Sequence, residues 1–367
     1  MAKPPPVRVL YLVTELEPGG AERQLAALAS GLDRKQYDPA VAGLASGALA
    51  KPLREAGVPV FSLGARGAAD LRVLPRLKRL LEEVQPDLLH TFLFHANVAG
   101  RICARLAKLD CPVVASVRVE DPRCLHRWGE SATARWADAF VANSDAMGIF
   151  LRKDLRIPAG KIAVIPNAAL QLPPVQPGAF RKRLGLSTDA PLIVGVGRLD
   201  RQKGFDLLIA AVARLTPKPA LALVGEGPER TRLEAQARKL GVALHLPGRL
   251  DSAAEALADA TLVALPSRWE GMPNVALEAM GLGRPVVGTR VGGIPELLEG
   301  GAGILVPPED PAALAEALDD LLANPPRATA LGGAARSKVR RYSVENLVAS
   351  HDALYRRLLK TGKTDPP

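Results

Sequence analysis

Two carboxylates eight positions apart, two cations five positions apart and a pair of adjacent glycines are the parts of this sequence best suited to chemistry. The carboxylates lie in S-R-W-E-G-M-P-N-V-A-L-E-A-M at 267–280, where Glu270 precedes Gly271, Met272, Pro273 and Asn274, and Glu278 follows. A proline can occupy the first turn of a helix, so residues 271–274 are expected to present backbone N–H groups. Glu278 then lies about a turn deeper and Glu270 stays in the loop. One carboxylate can accept hydrogen bonds from sugar hydroxyls and the other from ribose hydroxyls, while the helix N–H groups meet phosphate oxygens.

The cations lie in V-G-V-G-R-L-D-R-Q-K-G-F-D at 194–206. This segment follows an apolar run, so Arg198 and Lys203 belong to a loop at the mouth of a sheet, a natural grip for a diphosphate. Gly197 closes a G-x-G that lacks the third glycine of a dinucleotide fingerprint, which disfavours a nicotinamide cofactor. The glycine pair, Gly19 and Gly20, lies in P-G-G-A-E-R-Q-L at 18–25 and opens a helix. It serves either as a tight turn or as a close backbone approach to an anion at the helix start.

The sequence contains no D-x-D, and its five histidines, 90, 95, 126, 245 and 351, show no metal-ligand spacing. A divalent ion is therefore not expected, and the cations with the helix start near 273 would stabilise a departing diphosphate. Cys103, Cys111 and Cys124 form no C-x-x-C pair, which fits a reduced cytoplasm rather than a disulfide framework.

Short apolar runs alternate with amphipathic stretches in two series. The first comprises 7–13, 37–44, 86–92, 112–117, 137–144 and 161–168, with helices at 21–33 and 95–109. The second comprises 191–200, 220–228, 242–248, 261–267, 284–290 and 302–308, with helices at 205–215, 229–240, 311–323 and 327–341. Such βα alternation specifies α/β architecture with two Rossmann-like, doubly wound parallel sheets and ligands at the carboxyl ends of the strands. The Pro- and Gly-rich stretch 171–190 is read as the linker. The expected domains are 1–170 and 171–343, with a helix from about 344 to 362 returning to the first.

A length of 367 residues suits two cores, and 48% hydrophobic with 23% charged residues is an ordinary globular balance. The start MAKPPPVRVLYLVTELEPGG lacks the h-region of a signal peptide, and no apolar run reaches eighteen residues. The net charge of +10 favours anionic partners. R-V-L-P-R-L-K-R-L-L at 72–81 and Arg123, Arg127, Trp128, Arg135 and Trp136 form either a face for an anionic membrane or a solvated helix face with core tryptophans. No motif supports nucleic-acid binding.

The P-G-G-A-E, G-R-L-x-x-x-K-G and V-G-E-G-P (224–228) motifs, the two glutamates and R-P-V-V-G-T-R-V-G-G-I-P-E-L-L at 284–298 follow one another across nearly the whole chain. In that order they resemble the retaining glycosyltransferases of family 4, whose fold is GT-B with two Rossmann-like domains facing across a cleft. The resemblance implies transfer of a hexose or N-acetylhexosamine from a nucleotide-sugar, with UDP favoured, to a glycan or lipid-linked acceptor in cell-envelope synthesis. The nucleotide-sugar is a co-substrate, so no cofactor and no metal are implied. It further implies that Arg198 and Lys203 bind the donor diphosphate, that Glu278 binds the ribose, and that Glu270 with the 271–274 backbone binds the transferred sugar. Gly197 and Glu226 join the donor contacts, Gly19 and Gly20 approach donor and acceptor, and His95 meets sugar and acceptor. The family's I-P-N-G stretch reads I-P-N-A-A-L at 165–170, so only Asn167 carries over. His90, at a strand end, is read as structural. The implied location is cytoplasmic, peripheral on the inner membrane face. Rival readings are a GT-B-like epimerase or phosphorylase using the same cleft, or a non-catalytic nucleotide-sugar-binding scaffold.

Overall fold

A computed structural model describes residues 5–67, 70–120 and 122–361. The proline-rich start at 1–4, Gly362 of the expected C-terminal helix and the closing Thr-Asp-Pro-Pro lie outside the described residues. The chain forms two compact units, Met1–Ala168 with Val344–Pro367, and Ala169–Ser343.

Unit 1 holds seven parallel strands: β1 (Val7–Val13), β2 (Tyr37–Gly43), β3 (Val60–Ser62), β4 (Leu88–Phe92), β5 (Val113–Val117), β6 (Ala139–Ala142) and β7 (Ile162–Val164). Their order is β3-β2-β1-β4-β5-β6-β7. The direction of winding reverses between β1 and β4, which places a switch point there. Buried parallel strands read as continuous apolar runs, and β4, β5 and β6 are buried at every residue. The C-terminal helix Val344–Thr361 packs on this unit beside the helix Gly20–Gly31, where any side chain at Gly31 would crowd Val348. It is tied by Tyr37 Oη, which donates to Asp352 at 2.7 Å, and by Tyr355 Oη, 2.6 Å from His90 Nδ1. His90 also lies 2.9 Å from Ser116 Oγ through Nε2, so both ring nitrogens have structural partners.

Unit 2 holds six parallel strands: β8 (Leu192–Val196), β9 (Ala220–Val224), β10 (Leu244–Gly248), β11 (Leu262–Leu265), β12 (Val286–Thr289) and β13 (Ile304–Val306). The order β10-β9-β8-β11-β12-β13 puts its switch point between β8 and β11. Part of the stretch read as linker is built into this unit. Ala179–Arg183 is helical, and Phe180 is wholly buried in the core. The Asp259 carboxylate accepts from the N–H groups of Gly178, Phe180 and Arg181, which seats that turn.

The alternation of apolar runs leaves several elements unannounced. The strand Val60–Ser62 is three residues long and half exposed, so no burial pattern marks it. The helix Cys124–Thr133 falls in a stretch whose interest lay in charge, not period, and the helix Asp145–Lys153 lies between two of the expected strands with no helix expected there.

Candidate active site

In unit 2 the loops after β8, β11 and β12 interlock at the switch point. Asp200 accepts from Lys203 N at 3.3 Å and so starts the single turn Arg201–Lys203. Gly204 ends that turn at φ +64, and a Cβ there would collide with the Pro266 carbonyl. The close approach sets the Lys203 ammonium on Glu270 Oε1, which also accepts from Ser267 Oγ at 3.0 Å. From the third loop, Gly293 N donates to Gly271 O at 2.6 Å, and Gly292, at φ +52, leaves no room for a Cβ beside the Glu270 carbonyl. Thr289 Oγ1 adds a 2.6 Å bond to Ser267 O. The Lys203 stem lies over Gly197, where an added Cβ would sit 3.0 Å from Lys203 Cε.

Glu278 is buried inside the helix Asn274–Gly281, and Met272 is buried before it. Pro273 does not enter the first turn as its position suggested. It is the flanking residue at φ −73, ψ 122, because an extended residue is needed to turn the chain out of the 270–272 loop. The structure thus brings Lys203, Glu270 and Ser267 into contact and leaves Arg198 apart. The Arg198 side chain is 72% exposed, with Nε 3.7 Å from Asp200. Glu226 is engaged with Arg230 at 3.0 Å, one turn along the next helix. Arg268 grips Asp206 in bidentate fashion, at 2.8 and 2.9 Å, and also reaches Glu309, so these carboxylates raise its proton affinity. Ser267 and Arg268 were visible in the motif, yet nothing in their spacing showed that they lock the loop.

In unit 1 the loops after β1 and β4 flank the other switch point. Gly19 is the N-cap residue of the helix Gly20–Gly31. After β4, Leu93 adopts φ +72, a backbone strain of the kind that collects at functional loops, and delivers His95 to the second position of the helix Phe94–Leu106. His95 lies edge-on to His126, with ring centroids 5.4 Å apart, and His126 stacks on Phe94 at 3.8 Å.

Two charged residues that the sequence reading left unassigned sit at this edge. Glu22, in the first turn of its helix, is only 7% exposed, and burial pushes its carboxyl up to about 7. Arg118, directly after β5, is also 7% exposed, and burial lowers its guanidinium to about 10, partly offset by attraction to Glu22. One terminal nitrogen of Arg118 bonds Asn167 Oδ1, while Nε is buried with no hydrogen-bond partner.

Among the described residues no three His, Cys, Asp or Glu side chains cluster as metal ligands, and no helix is long and apolar enough to cross a membrane.

Comparison with known proteins places this geometry in a class. The Glycosyltransferase Family 4 model matches residues 18–169, and the Glycosyl transferases group 1 model matches 190–324. A GDP-mannose-dependent alpha-(1-6)-phosphatidylinositol monomannoside mannosyltransferase of Mycolicibacterium smegmatis is 38% identical over 57% of this chain and 61% of its own length. A D-inositol 3-phosphate glycosyltransferase of Xylanimonas cellulosilytica is 30% identical over 75% of this chain and 72% of its own. The chain therefore belongs to glycosyltransferase family 4. It aligns with about three fifths of the length of the first relatives matched. Its fold is that of GT-B glycosyltransferases. Anabaena HepE in complex with UDP and glucose superposes with a TM-score of 0.84 at 24% identity, over 96% of this chain and 100% of that one. WaaG, a glycosyltransferase involved in lipopolysaccharide biosynthesis, superposes with a TM-score of 0.76 at 19% identity, over 95% and 99%.

Proposed function

We propose that the chain is a retaining glycosyltransferase that takes a hexose or N-acetylhexosamine from a nucleotide-sugar and needs no metal ion. One observation carries the reading. Lys203, Glu270 and Ser267 are held together at the switch point of unit 2 by three interlocked loops, one turn from the buried Glu278. Lys203 and the exposed Arg198 then meet the diphosphate, the backbone at 271–274 and Glu270 meet the sugar, and Glu278 meets the ribose. The acceptor oxygen bonds to the anomeric carbon on the face from which the phosphate departs, the bond from that carbon to the phosphate oxygen breaks with its electron pair going to the diphosphate, and a departing phosphate oxygen takes the hydroxyl proton. The cations stabilise charge as it develops, the term that usually dominates such catalysis. In that complex the Lys203 ammonium must share itself between Glu270 and phosphate.

The donor we favour is a UDP-sugar, on the resemblance. A GDP-sugar is the second reading, favoured by the 38% identical relative named for GDP-mannose. The acceptor is a glycan or lipid-linked hydroxyl in glycoconjugate synthesis, met by His95 and the Gly19–Gly20 loop. For the membrane surface, the support lies on the helix Cys124–Thr133, not on 72–81. Lys78 and Arg79 are paired with Glu82 and Glu83, and Arg76 donates to Leu63 O, whereas Leu125 is 73% and Trp128 69% exposed beside Arg123. Their neighbours His126 and Arg127 line a cavity of about 50 Å³ whose apolar walls include Phe94, Val117 and Phe150.

The reading is tested by incubating the chain with UDP- and GDP-sugars and a panel of lipid and glycan acceptors. Transfer with retained anomeric configuration supports it. Nucleotide-sugar binding without transfer to any acceptor favours the scaffold, and conversion of the sugar without an acceptor favours the epimerase.

A further inference from the structure

Arg268 stands between Ser267 and Glu270 in the motif that forms the unit 2 cluster, yet its side chain bonds to neither. A guanidinium carries five N–H donors in a planar fork, and here all five are used. Nε donates to Glu309 Oε1 at 2.6 Å. One terminal nitrogen donates to Asp206 Oδ1 at 2.8 Å and to the Arg201 carbonyl at 3.0 Å. The other donates to Asp206 Oδ2 at 2.9 Å and to Glu309 Oε2 at 3.2 Å. Arg268 is 11% exposed and has no donor left for a ligand, whereas Arg198 is 72% exposed with one ion pair, at 3.7 Å. Of the two cations, Arg268 is built to hold the protein to itself.

What it holds is the approach of Lys203 to Glu270. Arg201 opens the single turn that ends at Lys203, and Asp206 lies in the first turn of the helix Phe205–Val212 that follows. Alongside the guanidinium, Arg268 N donates to Gln202 O at 2.8 Å, and Gln202 Nε2 donates to the Trp269 carbonyl at 3.1 Å. Residues 201–202 are thus zipped to 268–269, and the next residue on each side is Lys203 and Glu270. A slip of either segment would move the Lys203 ammonium relative to the carboxylate it touches.

Glu309 brings in the loop after β13, a fourth strand end beside those of β8, β11 and β12. Its backbone stands at φ +58, in the left-handed region that residues with a Cβ seldom adopt. Such a conformation persists where the surroundings hold it, and the two bonds to Arg268 are a hold of that kind.

We propose that Arg268 is a positioning residue for sugar transfer: braced by Asp206 and Glu309, it fixes the turn Arg201–Lys203 against the 267–270 loop, so that Lys203 meets the donor diphosphate in one place. The inference rests on the reading that Lys203 binds that diphosphate. Arg268 itself touches neither donor nor acceptor and acts only through Lys203.

The test is calorimetry of UDP and GDP binding to the full chain in a double-substitution cycle with Lys203. Arg268→Gln should weaken nucleotide binding about fivefold, a part of the factor expected for losing one charge-assisted hydrogen bond outright. In Lys203→Ala the same substitution should cost less than about twofold, because the group it positions is gone. A residue that merely supports the fold would cost the same factor in both backgrounds. Unchanged affinity in Arg268→Gln, or an equal factor with and without Lys203, overturns the proposal. If Arg268→Gln fails to fold, Glu309→Gly decides in the same way. Relief of the left-handed conformation offsets the loss of a half-exposed ion pair, so its melting temperature should not fall. Its nucleotide affinity should fall about threefold where Lys203 is present, and stay unchanged in Lys203→Ala. The underlying reading is judged by the unsubstituted chain and Lys203→Ala alone. If nucleotide binds, Lys203→Ala weakens it and Arg268→Gln acts alike in both backgrounds, only this inference fails. Binding of neither nucleotide by the unsubstituted chain removes that reading and this inference with it.

Discussion

The two switch points of this chain are built in opposite ways. In unit 2 the polar groups satisfy one another: Lys203, Glu270 and Ser267 form one cluster, and Arg268 is clamped by Asp206 and Glu309. In unit 1 the edge is left incomplete. Thr14 Oγ1 after β1, Arg118 Nε after β5 and Asn143 Oδ1 after β6 are all buried without hydrogen-bond partners, and Leu93 holds a strained φ of +72. A preorganised site needs little rearrangement to meet a defined ligand, whereas buried polar groups without partners are open to being satisfied by a bound molecule. On the proposed sugar transfer, the constant half, the nucleotide diphosphate, belongs with unit 2 and the variable half with unit 1.

Substitutions can break this comparison. The largest effect is expected in unit 2, where Lys203→Ala or Glu278→Ala should cut transfer by about two orders of magnitude or more, the scale of losing one charge-stabilising contact. Near-normal turnover in both would remove the donor role of that unit. Next, Leu125→Asp with Trp128→Asp should weaken sedimentation with anionic vesicles about tenfold or more, since each exposed side chain can bury apolar area in a bilayer. Charge reversal of Arg76, Lys78 and Arg79 should have a smaller effect, because their partners lie within the protein. If the reversal is the stronger of the two, the membrane face is on 72–81 instead.

Acid should act on unit 1. His90 and His351 are buried and neutral, with proton affinities below the ordinary value of 6.5 in the folded state. The unfolded chain therefore binds more protons below that value, and stability should fall from about pH 6.5 downwards. Replacing His351 with Gln should flatten this fall in a melting-temperature series, and an unchanged acid limb would show that other groups set it. The smallest effect is expected from EDTA, which should leave transfer largely intact. Loss of activity restored by magnesium would overturn the metal-free mechanism.

How far the sequence could be read follows the same division. Apolar runs such as V-R-V-L-Y-L-V and P-L-I-V-G-V marked the central strands because parallel strands buried on both faces leave a continuous signal. Motif spacing carried the unit 2 site, since loops that interlock through glycines at 204 and 292 tolerate little variation in residue type. It misplaced Pro273, whose flanking role depends on the 270–272 loop it must turn from, and it gave no hint that Arg198 stands exposed while Lys203 is gripped. Arg118 and Glu22 escaped notice for a different reason. They lie 96 positions apart, one in the first turn of a helix and the other just after a strand, and burial, which no single sequence displays, is what makes them chemically unusual.

The central claim is that unit 2 holds a nucleoside diphosphate through Lys203, and calorimetry of UDP and GDP binding tests it most directly. The account predicts that at least one nucleotide binds the unsubstituted chain and that Lys203→Ala weakens it about tenfold or more, the scale of one charge-assisted hydrogen bond. Binding of neither nucleotide, or equal affinity in Lys203→Ala, would contradict it.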